Sequence, residues 1–103
     1  MTTMAGTAEF EIELQRLHET LATATYYDVL GLRPGCDYVA VREAFHAKAQ
    51  RYHPDRWVFV STEALKQQAY VVYKRMTEAY NVLLDPQLRA AYDAARVRGE
   101  SRL

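Results

Sequence analysis

Residues 51–61, RYHPDRWVFVS, decide how the chain folds. Pro54 disfavours α geometry at the residue before it, so a helix that reaches Tyr52 must end at His53. Pro54 also fixes its own φ and lacks an N–H, which stiffens the turn. His53 and Asp55 are thereby presented in a fixed relation. His53 follows a helix C-terminus, where the dipole favours a cation. Asp55 is acceptor-only at neutral pH and suits the fork of an arginine. The bland alternative stays open at this point: Asp55 bonding its own turn backbone and nothing more. Trp57-Val58-Phe59-Val60, coming next, is unusually apolar for a turn.

On either side the pattern is helical. Tyr38, Val41, Phe45, Ala49 and Tyr52 fall on one side of a helical wheel, predicting a helix over about 37–52. Leu65, Ala69, Val72, Tyr73, Met76, Tyr80 and Leu83 do the same over about 62–84. Matching stripes on two long helices predict an antiparallel pair joined by 53–61. Upstream, Thr25 and Asp28 form a carboxylate capping box for a short helix, and Gly31 suits its left-handed terminus. Downstream, Asp85-Pro86 is a strong start signal for a helix running through LRAAYDAAR. Residues 7–22 give one more helix, with Thr7 as its cap and Phe10, Leu14, Leu17 and Leu21 as its stripe. The fold class is all-α.

A chain of 103 residues holds one domain. The organisation expected is an extra amphipathic helix over 1–23, the main domain over 24–97 and a flexible basic tail over 98–103. The formal net charge of zero argues against general nucleic-acid binding. The charge is uneven, however. Residues 1–28 carry five acids and one base, and the remainder eight acids and twelve bases. The acidic front can pair with the basic remainder, or the basic part can face an acidic partner. Cys36 is the only cysteine, so no internal disulfide forms, which fits a reducing compartment. No membrane span or leader is expected, and a cytoplasmic location is the default.

Three ordered landmarks resemble the J domain, the DnaJ-type co-chaperone module. YYDVLGL (26–32) is similar to the family's first helix. YHPD (52–55) is similar to its signature at the end of the second. EAYNVLLDPQLRAAYD (78–93) is similar to the end of the third helix and the fourth. The resemblance covers roughly 25–96. It implies a protein that binds ATP-loaded, DnaK-type chaperones and stimulates their ATP hydrolysis, with no chemistry and no cofactor of its own. It also implies that His53, Pro54 and Asp55 are indispensable, with Asp55 meeting an arginine of the partner. The basic docking face maps to Arg42, His46, Lys48 and Arg51, with Arg56 just beyond the motif.

Several positions depart from the family. His46 and Ala47 stand where lysine or arginine is common, so the docking face is weaker. Docking is therefore expected to be modest, salt-sensitive through Arg42 and Arg51, and stronger as pH falls through the histidine range. Lys48 replaces an apolar residue; its stem packs while its ammonium reaches water, or it joins the docking face. Trp57 and Phe59 cap the core, contact a partner or substrate, or pack on the extra helix over 7–22. The helix over 7–22 packs on the domain, mediates self-association or links to something else.

Other functions fit less well. His46 and His53 lie seven residues apart, roughly 10 Å along a helix, too far to share a metal. Arg89, Arg96, Arg98 and Arg102 make the C-terminal end basic, which leaves a helical DNA-binding domain as the runner-up outside chaperone function. A degenerate J-like adaptor with a different partner is the alternative within the family.

Overall fold

The computed structural model describes residues 2–57 and 62–103. Among these residues there are five α-helices and no strand: α1 (Thr2–Thr20), α2 (Tyr26–Leu30), α3 (Tyr38–Tyr52), α4 (Glu63–Leu84) and α5 (Pro86–Val97). The all-α expectation holds, and α3 and α4 form the long pair.

The local signals act as their chemistry requires. Thr25 accepts from the Asp28 N–H at 3.0 Å while the Asp28 carboxylate accepts from the Thr25 N–H at 3.0 Å. Gly31 ends α2 at φ 70°, which a side chain rarely tolerates. Asp37 caps α3 through the Ala40 N–H at 2.8 Å. Thr62 caps α4 through the Leu65 N–H. Asp85 caps α5 through the N–H groups of Gln87 and Leu88. His53 leaves the helix at ψ 133°, the extended geometry that a following proline imposes.

Two boundaries differ from the expectation. Helix α1 begins at Thr2, so Thr7 lies inside it rather than capping it, and it ends at Thr20. Within the connection after α3, Pro54–Trp57 form one 3-10 turn. A single turn of this kind tolerates Pro54 because its missing N–H sits at the turn's start. Phe59 and the rest of the apolar run after Trp57 lie outside the described residues, as does the side chain of Trp57.

The core gathers around four buried tyrosines, Tyr26, Tyr27, Tyr52 and Tyr92, with Leu14, Leu30, Val41, Val72, Met76 and Leu83. Tyr26 and Tyr92 pack ring to ring at 4.4 Å. Each large ring brings a hydroxyl that needs a partner when buried. Tyr92 accepts from the Tyr26 N–H at 2.9 Å and donates to the Ser101 carbonyl at 2.9 Å. Tyr27 donates to Asp93 at 2.7 Å. Burial, and then the bond to Asp93, push the Tyr27 hydroxyl up to about 12.

Helix α1 packs on α4. Leu14 is fully buried and Leu21 nearly so. Residues 98–103, read from the sequence as a flexible tail, turn back along the domain. Arg102 forks onto Glu78 at 2.8 and 2.6 Å, and the Leu103 N–H reaches the Tyr26 hydroxyl at 3.1 Å.

Candidate functional site

The end of α3 and the 3-10 turn build the site. The Arg56 N–H donates to the His53 carbonyl at 2.9 Å and closes the turn. The Asp55 N–H donates to His53 Nδ1 at 3.1 Å. Because Nδ1 accepts, the ring proton of a neutral His53 sits on Nε2. Tyr73 of α4 meets the imidazole edge-on at 5.4 Å. The ring is thus held from both sides, by its own turn and by α4.

Among the described residues, no backbone N–H of the turn donates to the Asp55 carboxylate. Oδ2 lies 3.6 Å from His53 Nδ1, and the side chain is 89% exposed. It is a stiffly mounted carboxylate facing solvent.

His46, Ala49, Gln50, His53, Asp55 and Arg56 line one open groove of about 590 Å³. The structure therefore brings four of the expected site residues together: His46, His53, Asp55 and Arg56. Arg42 is exposed one turn above His46 on α3. His46 lies near Phe45 and Tyr80, whose rings stack at 4.2 Å. Pro54 opens the 3-10 turn.

Lys48 and Arg51 point elsewhere. A Cβ placed on Gly31 would lie 3.5 Å from Lys48 Cε and 3.8 Å from Nζ, so this side chain runs over the end of α2. Arg51 forks onto Glu13 of α1, Nε to Oε1 at 2.9 Å and Nη2 to Oε2 at 2.6 Å. Its guanidinium also lies 4.9 Å from the centre of the Phe10 ring. The Tyr52 hydroxyl donates to the same Glu13 oxygen that Nε uses. These bonds, Arg51 first, hold the Glu13 carboxyl below its usual range against the opposing effect of burial.

Sequence reasoning placed Tyr73 on the apolar stripe of α4 and missed its contact with His53. It also missed Glu13. A partner 38 residues away leaves no local mark, and only the acid-rich front of the chain hinted at such a pair.

The basic C-terminal end is largely occupied. Arg89 is buried, bonds the Tyr27 hydroxyl at 3.2 Å and donates to the Cys36 carbonyl. Arg102 holds Glu78, and Arg98 lies 3.4 Å from Glu100.

Residues 25–93 match the DnaJ domain family. The chain belongs to that family. The chaperone protein DnaJ of Bartonella henselae is 44% identical over 68 residues, covering 66% of this chain and 16% of that protein. The curved DNA-binding protein of Serratia proteamaculans is 41% identical over 71 residues, covering 69% of this chain and 21% of that protein. The DnaJ of Opitutus terrae is 36% identical over 73 residues, covering 71% of this chain and 18% of that protein. The chain thus spans about a fifth of the length of the curated relatives it matches. No solved structure gives a significant match. Helix α1 lies outside the family match. Among the described residues, no helix is long and apolar enough to cross a membrane.

Proposed function

We propose that this protein is a co-chaperone that docks on an ATP-loaded, DnaK-type chaperone and stimulates its ATP hydrolysis. The observation that carries the reading is the exposed Asp55 carboxylate, mounted on a turn that Pro54, the His53 ring and Tyr73 keep rigid. A carboxylate on a stiff turn meets a partner guanidinium without first ordering its backbone, which favours binding. Membership of the DnaJ domain family and relatives named chaperone protein DnaJ support the same reading.

The roles follow from the groove. Asp55 pairs with an arginine of the partner, His53 sets the turn, and Arg42, His46 and Arg56 supply positive or chargeable groups around it. The protein performs no chemistry; it biases a hydrolysis that occurs in the partner. Arg42 and Arg56 carry the salt dependence, since Arg51 is already paired. The name of the Serratia relative raises DNA as a partner. Here Arg89 and Arg102 are engaged within the fold, so a reading based on the basic C-terminus has little left to stand on.

The test is single-turnover ATP hydrolysis by a DnaK-type chaperone with the wild type and with Asp55→Asn. A charge-assisted bond is worth about 1.5–3 kcal/mol, so the variant should dock about ten- to hundredfold more weakly. Stimulation should fall accordingly. No stimulation by the wild type, or equal stimulation by both, would sink the proposal.

A further inference from the structure

The docking helix carries an internal competitor. Arg51 offers Nε and Nη2 along one edge of its guanidinium, and both oxygens of Glu13 take them. Phe10 covers one face of the same group, and its ring stacks on Tyr52 at 5.4 Å. Lys48, also on α3, adds to the field that keeps Glu13 ionised. So α1 applies a carboxylate to Arg51, a cation on the helix that ends in His-Pro-Asp.

We infer that α1 is a built-in brake: Glu13 withholds Arg51 from the chaperone until a partner carboxylate displaces it. The inference rests on the co-chaperone reading and adds a regulatory element that lies outside the family match.

Two features make this a competitor and not a lock. The Arg51 and Glu13 side chains remain 52% and 42% exposed, and exposed pairs exchange readily and contribute little. Helix α1 is anchored separately, by fully buried Leu14 and, just past its end, by Leu21. Release of Arg51 therefore needs only a change of side-chain partner, with α1 still in place. A partner that brings several carboxylates wins this exchange; an isolated weak contact does not.

The test compares wild type, Glu13→Gln, Arg51→Gln and the double variant. The readout is the concentration that half-maximally stimulates single-turnover ATP hydrolysis at low salt. Glu13→Gln keeps an acceptor for the Tyr52 hydroxyl, and thermal melting checks that it folds. Glu13→Asp, one methylene too short for the fork, is the second variant. Glu13→Gln should lower the half-maximal concentration about two- to fivefold, the range an exposed pair can supply. Glu13→Asp should move it in the same direction by less. The gain should vanish in the Arg51→Gln background. An unchanged or raised concentration in Glu13→Gln, with stimulation by the wild type still lost in Asp55→Asn, overturns the brake alone. So does a gain that persists without Arg51. Absence of stimulation by wild type and Glu13→Gln alike overturns the co-chaperone reading and the brake with it.

Discussion

The same small motif occurs twice in this domain. At one end Glu13 accepts a fork from Arg51 and a hydroxyl from Tyr52. At the other, Glu78 accepts a fork from Arg102 and a hydroxyl from Tyr26. In both, the carboxyl is held below its usual range chiefly by its arginine. What differs is who owns the arginine. Arg51 belongs to the helix that ends in His-Pro-Asp, whereas Arg102 belongs to the segment after α5. One clamp holds a cation of the helix that leads into the candidate site. The other ties a chain segment to the core. The role of a salt bridge is thus set by what its partners would do if free.

The largest separation of the two ends should come from their buried rings. Tyr92 backs the Glu78 clamp, fully buried, with its hydroxyl bridging Tyr26 and Ser101. Tyr92→Ala should cost about 3–5 kcal/mol in urea unfolding, the usual range for emptying an aromatic site. Tyr92→Phe should cost about 1–3 kcal/mol, because it leaves the buried Tyr26 N–H without its acceptor. Folded Tyr92→Phe should stimulate the chaperone like wild type, since Tyr92 does not line the groove at His53. Loss of stimulation in the folded protein would erase the distinction between the ends.

Alkaline titration probes both ends at once, with a smaller effect. Burial pushes Tyr52 and Tyr27 up to about 12, and the bonds to Glu13 and Asp93 add to it. The unfolded chain ionises tyrosine near its ordinary value of 10.0. Stability is therefore intact below about pH 10 and is lost as pH rises toward 12. Each ring contributes about 2–3 kcal/mol at most, the linkage value of a shift of this size. Melting temperature against pH should bend down above pH 10, and the bend should be shallower in Tyr52→Phe. A flat profile to pH 12 would remove both hydroxyls from the account.

How much of this was legible in the sequence follows from the range of the forces. Thr25 with Asp28, Gly31, Asp85-Pro86 and Pro54 each act within four residues, and each left a readable mark at its own position. Helical periodicity located α3 and α4 because one-sided burial repeats along the chain. The His53 and Asp55 geometry was foreseen in kind, since proline chemistry is local, although the 3-10 turn was not. Glu13 with Arg51, Glu78 with Arg102, and Arg89 with Tyr27 span 38, 24 and 62 residues. Pairs at such distances have no period and no spacing rule. The charge imbalance between the two parts of the chain announced that pairing was available, without saying between which residues. Only the family resemblance puts Arg51 on the docking face with Arg42, and Lys48 stays between two roles.

The smallest effects discriminate most sharply. Glu13→Gln and Glu78→Gln remove the same charge from the same kind of fork. Each should lower stability by less than about 1 kcal/mol, because all four side chains reach solvent. Their carboxyls are depressed, so the stability they add is present above the ordinary value of 4.5 and fades as pH falls through the folded values. Acid melts of the two variants should therefore converge with wild type at low pH in parallel. In the chaperone assay they should diverge: Glu13→Gln shifts the half-maximal concentration, and Glu78→Gln leaves it unchanged. Added salt should shrink the Glu13→Gln shift, because Arg51 freed into solvent works through a screened attraction. If both variants shifted the assay equally, ownership of the arginine would not matter, and the effect would have to come from net charge alone.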